Sequence, residues 1–430
     1  MAENLQNWAE NLTYGSARIH RPGSVEEVQA LVAKATKVKA LGTRHSFNSI
    51  ADTDQDHIST ERLNQVIDLD RDRMTVTIEG GVSYGTLSKH LYLEGFALHN
   101  LASLPHISVA GACATATHGS GVNNGNLATA VVAMELVTAS GELIRYNKSN
   151  SEFYGAVVNI GALGVVTSLT LKIEPAYQVR QYVYQDLPFC LLEDHFDTIV
   201  ESGYSVSLFT TWKSDTIDQV WQKCVNHDGE APASLFEAKL ASEKLHPLPD
   251  HPADNCTEQL GLAGSWHERL AHFKMNFTPS SGEELQSEYI VPRHHAFAAL
   301  SAITKMREAI IPVLHISEIR TTASDELWLS SAYAQDVVCI HFTWKKNWAA
   351  VQALLPIIER ALAPFGARPH WGKLFAMEAD KVCSLYPKMN EFKALAIELD
   401  PAGIFRNDFL IQRVFGNWSE KVNSESCQTL

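Results

Sequence analysis

Residues 41–48 read LGTRHSFN. A short apolar stretch, residues 38–41, has the look of a strand that runs into Gly42, and polar donors follow at once. In that arrangement consecutive backbone N–H groups and the Arg44 side chain can surround a phosphate or pyrophosphate. No G-x-G-x-x-G follows a strand, which argues against a Rossmann site, and no G-x-x-x-x-G-K-[ST] is present, which argues against a P-loop ATPase. Gly42, Thr43, Arg44, His45 and Ser46 are therefore the first candidate ligand-binding residues, although His45 is equally readable as an ordinary loop histidine.

Outward from this loop, the first third of the chain alternates strand, turn and small helix. Residues 24–35 form a helix pattern: Ser24 can cap it, Glu26 and Glu27 occupy the first turn, and Val25, Val28, Leu31 and Val32 share one side. Residues 66–69 and 75–79 read as strands, 83–94 as a second amphipathic helix, and 131–138 with 143–146 as a hairpin turning at Ser140-Gly141. Residues 165–173 are a further strand, closed by Glu174-Pro175. Between them, residues 98–121 (LHNLASLPHISVAGACATATHGSG) hold many small side chains, several glycines and almost no charge. Small side chains let the backbone pass close to something flat and large, and the hydroxyls, N–H and C=O groups can satisfy a polar heterocycle. A tightly packed loop with structural glycines is the other reading. Residues 159–166 (NIGALGVV) offer a similar, weaker signal.

The composition shifts after Pro175, which sets the expected boundaries: 1–175, 176–400, a segment 401–416 returning to the first unit, and a polar, disordered tail 417–430. Tryptophans accumulate in the second unit, and residues 226–270 read as a long irregular insertion rich in His, Pro, Asp and Glu. Residues 296–309 and 348–363 read as helices, and 313–321 and 337–344 as strands. Side chains two apart on a strand share a face. That puts Glu318 beside Arg320, sets His341 and Thr343 opposite Phe342 and Trp344, and aligns Trp371 with Lys373. If these segments join one antiparallel sheet, their polar faces line a pocket roofed by aromatics. An uncharged polyol, whose many hydroxyls each want a donor or acceptor, needs such a wall. A satisfied Glu318–Arg320 ion pair on a sheet face is the alternative.

Bulk properties narrow the class. The 430 residues suit two domains, and a net charge of −14 disfavours nucleic acid and anionic membranes. The N-terminus has no signal-peptide pattern, and no apolar run is long enough to span a bilayer. Seven scattered cysteines without C-x-x-C spacing suggest free thiols in a reducing cytoplasm, and the sequons at Asn11, Asn255, Asn276 and Asn417 then read as chance matches. No metal site is expected: there is no H-E-x-x-H, and His294 and His295 point in opposite directions if they lie on a strand. No G-x-S-x-G elbow appears either.

Taken together, these segments resemble the alditol oxidases, of xylitol and sorbitol oxidase type, within the vanillyl-alcohol-oxidase-like flavoprotein family. The likeness runs from about residue 14 to 415 and rests on GTRHSFN (42–48), LHNLASLPHISVAGACATATHGSG (98–121), SEIRT (317–321), HFTW (341–344) and HWGKLF (370–375). The first two mark the FAD domain of the wider family, SEIRT with HFTW points to alditol oxidases, and HWGK is shared with sugar-lactone oxidases.

The resemblance implies an α+β fold: a two-part FAD-binding domain followed by a substrate domain on a large antiparallel sheet. It implies FAD bonded through its 8α-methyl group to His45, which prevents cofactor loss, and lined by Gly42, Thr43, Arg44, Ser46, Ser103, Gly111, Thr115, His118, Gly119, Gly164 and Val165. It makes Glu318, Arg320 and Lys373 the catalytic residues, with Ser103 and Thr343 joining them around the substrate, and has Asn407 close the cofactor site. The implied reaction moves hydride from a primary alcohol carbon of a small alditol to flavin N5, giving an aldose, with O2 reduced to hydrogen peroxide. A cytoplasmic monomer is expected. A sugar-lactone oxidase or dehydrogenase is the alternative activity. A non-catalytic flavin- or carbohydrate-binding protein is disfavoured by the intact Glu318, Arg320 and Lys373 set.

Overall fold

The computed structural model describes residues 5–226, 231–275 and 283–416, so the tail and two of the four sequons, at Asn276 and Asn417, lie outside the described residues. Strands Arg18–His20, Asp56–Ser59 and Val38–Leu41 form a parallel sheet with Asp56–Ser59 in the middle. A five-stranded antiparallel sheet follows, in the order Val66–Asp70, Thr75–Glu79, Val165–Lys172, Val131–Val137 and Leu143–Asn147. The helix Val25–Val32 starts where the Ser24 side chain accepts from the Glu27 N–H, and it buries Val28 and Val32. Ser83 caps the helix Tyr84–Leu93 in the same way, accepting from the Thr86 N–H. Val28, Val32, Val38, Ile58, Val137 and Val165 share a core cluster with Ile404 and Phe405, so the end of the described chain packs against its beginning. Asn407 Nδ2 fastens it there by donating to the carbonyls of Ser49 (2.9 Å) and Asp52 (2.8 Å).

Apart from the antiparallel pair Phe96–Ala97 and Glu174–Pro175, the remaining strands build one ten-stranded antiparallel sheet. At its centre Ser205–Thr210, Leu314–Thr322, Val337–Lys345 and Glu284–Pro292 lie side by side. The fold is mixed α+β with a large antiparallel sheet, as the resemblance implied. Apolar side chains of the helices Ala296–Thr304 and Trp348–Leu362 join the main core. Residues 241–273 run as a strap whose Leu245, Leu248 and Phe273 pack on Val183, Phe209, Trp221 and Ile316.

Three local expectations need correction. The helix read over 296–309 is broken: it ends at Thr304, Met306 leaves helical geometry (φ −106°, ψ 6°), and a separate short helix, Arg307–Ile310, follows. His294 and His295 are not on a strand, because the strand ends at Pro292 and Arg293–His295 forms a 3-10 turn that brings their rings to 4.0 Å. Residues 370–373 form a turn after the two-residue strand Arg368–Pro369. Trp371 and Lys373 therefore do not align: Trp371 is buried, donating from Nε1 to the Leu329 carbonyl (2.8 Å), while Lys373 faces the cavity.

Candidate active site

A cavity of about 420 Å³ lies between the small sheets and the ten-stranded sheet. The 42–48 loop forms one wall. It is tied to the 371–373 turn by Phe47 N–H donating to the Gly372 carbonyl (2.8 Å) and by Asn48 Nδ2 donating to the carbonyls of Trp371 (2.8 Å) and Lys373 (2.7 Å). Trp8 stacks on His45 at 5.5 Å. Both ring nitrogens of His45 are buried and have no hydrogen-bond partner. Burial brings its pKa down to about 4, so the imidazole is neutral at physiological pH. Buried polar atoms are nearly always satisfied, so an unpartnered, neutral imidazole on a cavity wall calls for a bonded group. That fits a flavin.

The opposite part of this wall is the 98–121 segment. Ser108 N–H donates to Thr43 Oγ1 (2.9 Å), and a Cβ on Gly42 or Gly111 would come within 2.5 or 2.7 Å of Ser108 Oγ. Glycine at both positions is what allows the two loops to meet. Gly42, Thr43, Arg44, His45, Ser46, Ser103, Gly111, Thr115, His118 and Gly164 all line the cavity. Gly119 and Val165 stand behind it: Gly119 is wedged against Asn100 and Leu101, and Val165 belongs to the core. The exposed Arg44 adopts φ +63° and donates from Nη1 to the Gln6 carbonyl (3.0 Å).

The ten-stranded sheet supplies the other wall. Its pairing sets Glu288, His341 and Glu318 opposite one another on three adjacent strands, with Phe209 next in the row. Gln286 and Thr343 form the neighbouring row. Glu288 is the hub. Lys373 Nζ donates to its Oε2, His118 Nε2 lies 2.9 Å and Arg320 Nη2 3.6 Å from Oε1, and His341 Nδ1 lies 3.5 Å from Oε2. Arg320 also faces Glu318 (Nε to Oε1, 3.4 Å) and donates from Nη1 to Ser103 Oγ (3.4 Å). Lys373 has donors only, so His341 Nδ1, 2.8 Å away, accepts from it. His341 Nε2 must then carry the proton and donate to Thr343 Oγ1 at 3.0 Å, which leaves the Thr343 hydroxyl proton free for a ligand.

Burial of these groups would be costly without such pairing. Burial pushes both carboxyls up, but Lys373 and His118 hold Glu288 well below the usual range, and Arg320 and His272 do the same for Glu318. Burial lowers Lys373 more than Glu288 raises it. Burial, with Lys373 beside it, depresses His341 to about 4. The result is two ionised carboxylates facing a guanidinium and an ammonium on the cavity wall. His118, Glu288 and Cys339 could geometrically surround a metal ion, but Arg320 and Lys373 already supply the positive charge at Glu288.

Sequence reading missed Glu288 and His272. The signal for Glu288 was available: in residues 284–292 the polar Glu284, Gln286 and Glu288 alternate with Leu285, Ser287, Tyr289 and Val291. His272 carried none, because it sits in the irregular strap and reaches Glu318 only through the fold.

Comparison with known proteins completes the picture. The chain is 47% identical over 413 residues to the alditol oxidase of a Streptomyces species, covering 95% of this chain and 99% of that protein. The chain belongs to the alditol oxidase family. This family member also matches the FAD binding domain profile over residues 16–147 and the D-arabinono-1,4-lactone oxidase profile over 273–413. It is also 28% identical to an L-gulono-1,4-lactone dehydrogenase of Mycobacterium tuberculosis, over 97% of this chain and all (100%) of that one. Among solved structures, the cholesterol oxidase of B. sterolicum superposes with a TM-score of 0.78 at 14% identity, covering 95% of this chain and 96% of that one, which is a likeness of fold. Among the described residues, no helix of this alditol oxidase family member is long and apolar enough to cross a membrane.

Proposed function

We propose that the protein oxidises a small alditol such as xylitol or sorbitol at a primary alcohol carbon, with FAD bonded to His45, giving an aldose and hydrogen peroxide. The observation that carries this reading is the row Glu288–His341–Glu318 with Arg320, Lys373 and Thr343, a buried polar wall facing the unpartnered His45 across one cavity. Residues 1–175 with 401–416 make the cofactor unit in this reading, and 176–400 the substrate unit. FAD, when bound, supplies the hydride acceptor and passes the electron pair to O2.

The chain's own residues do the rest. Arg320 and Lys373 stabilise the negative charge that develops on the reacting oxygen. Neither needs to move, because Glu288 holds both. Ser103 Oγ, within 3.4 Å of Arg320 Nη1, orients the reacting end. Glu318 accepts from a neighbouring hydroxyl, and Thr343 donates to one further along. Gly42, Thr43, Arg44, Ser46, Gly111, Thr115, His118 and Gly164 border the space for the cofactor, with Gly119 and Val165 supporting them. Asn407 steadies the 49–52 turn beside the loop that carries His45. The free cysteines among the described residues accord with a cytoplasmic protein, and we take it as a monomer.

Peroxide release tests the reading. The purified holoenzyme is expected to turn over xylitol and sorbitol well and aldono-1,4-lactones poorly. The lactone arm matters because the second half of the chain matches a lactone oxidase profile. Peroxide from lactones alone would replace the alditol with a lactone.

A further inference from the structure

Glu318 is also held from the strap, by a buried pair of residues beside the cavity. His272 comes from the strap and is buried, with Nε2 2.7 Å from Glu318 Oε1. Its other nitrogen, Nδ1, lies 3.3 Å from Lys223 Nζ. Lys223 is itself buried on the strand Thr216–Val225, and it also donates to the carbonyls of Leu270 (2.5 Å) and Ala271 (3.1 Å). Thr257 pins the same piece of strap: its Oγ1 donates to the Ala271 carbonyl (2.8 Å) and its N–H to the His272 carbonyl (2.9 Å). Phe209 and Trp221 hold the ring edge-on at 5.5 and 5.3 Å.

Proton bookkeeping fixes the direction of this chain. The Glu318 carboxylate can only accept, so His272 Nε2 carries the proton and donates to it, and Nδ1 of the neutral ring accepts from Lys223 Nζ. One oxygen of Glu318 is thus taken by His272, which leaves Oε2 for a ligand. Nothing in the alditol reading requires these two residues, since Arg320 already pairs with Glu318.

We propose that His272, backed by Lys223, is a positioning residue that fixes the orientation of the Glu318 carboxylate towards the substrate. The inference rests on the assignment of Glu318 to the substrate made above. Glutamine at 272 can donate to Glu318 and accept from Lys223 as the imidazole does; leucine can do neither. Loss of a hydrogen bond to a charged group weakens the contact by about tenfold or more. His272→Leu should therefore raise KM for xylitol about tenfold with a smaller change in kcat, and His272→Gln should bring KM back to within about threefold of wild type. A merely structural histidine would show no rescue by glutamine.

A second readout does not use turnover. The charged groups facing the ring are Lys223, Glu318 and Arg320, with Cys256 beside Lys223 and His341 beyond Glu318. Burial, with the Lys223 charge next, holds the imidazole at about 4. In holoenzyme carrying 13C-labelled histidine, the His272 signal, assigned by its loss in His272→Gln, should move in Lys223→Met, which removes the group facing Nδ1. Equal KM in His272→Leu and wild type, or glutamine no better than leucine, would overturn the proposal. So would a His272 signal that Lys223→Met leaves unmoved, which decides the matter alone if His272→Leu does not fold. Wild-type protein inert towards every polyol would instead remove the assignment of Glu318, and the two failures are distinguishable.

Discussion

Glu288→Gln is the most informative single substitution, because it removes one charge and leaves the shape. Glu288 is 1% exposed and faces Lys373, His118, Arg320 and His341 at once. With glutamine there, the largely buried Lys373 ammonium keeps no carboxylate in direct contact, and Arg320 keeps only Glu318. Stranding a buried charge in this way costs about 3–5 kcal/mol. At about 2.1 cal/mol/K per residue, unfolding 430 residues carries an entropy of about 0.9 kcal/mol/K, so a single cooperative transition should fall by about 3–6 °C. The catalytic consequence is separate and has a sign. Burial already depresses the Lys373 pKa and Glu288 opposes that, so removing Glu288 depresses it further. The alkaline limb of kcat/KM for xylitol, where Lys373 loses its proton, should move to lower pH in the variant. Calorimetry of the holoenzyme and a pH–rate series measure the two effects. A melting temperature unchanged within a degree or so, together with an alkaline limb that does not move, would refute the account of Glu288 as the hub.

Three further outcomes follow from the same geometry. His45→Ala should release its flavin into the supernatant on acid precipitation, whereas the wild-type pellet stays yellow; a yellow mutant pellet would place the bond elsewhere. Thr343→Val keeps the shape of Thr343 but removes the hydroxyl that His341 orients, and should raise KM for xylitol about tenfold with little change in the melting temperature. Asp325 accepts from Asn126 Nδ2 (2.8 Å) and Ser330 Oγ (2.6 Å), yet burial raises its pKa from 3.8 to about 6. The folded state therefore holds this proton more tightly than the unfolded state. The stability it contributes is complete below about 3.8 and is lost as pH rises towards 6. Asp325→Asn should flatten that part of the pH dependence in denaturant midpoints; an unchanged slope would contradict it.

What the sequence disclosed and what it hid follow a physical pattern. Strands such as residues 38–41 and 75–79, and the helix cap at Ser24, depend on neighbours a few positions away, and they are legible from period and capping alone. The shared faces of Glu318 with Arg320 and of His341 with Thr343 were legible for the same reason, because a strand's two-residue period fixes them. The hub was not, because Lys373 meets Glu288 across 85 residues of chain and His272 meets Glu318 across 46. Such contacts follow from strand order, which no local pattern records. The turn at 370–373 failed for a related reason: the strand there is two residues long, and the bonds from Asn48 to the Trp371 and Lys373 carbonyls, from the far wall of the cavity, hold the turn. Gly119 and Val165 show the limit of motif reading, since both lie within segments that border the cavity and yet face away from it.

The central claim, that an alditol is oxidised on the FAD held in this cavity, is tested most directly by mixing oxygen-free holoenzyme with xylitol. The account predicts that the flavin absorbance bleaches, that aldose appears in an amount equal to the flavin, and that admitting O2 restores the colour with release of peroxide. A flavin that stays oxidised with xylitol, sorbitol and every other alditol, while an aldono-1,4-lactone bleaches it, would contradict the account.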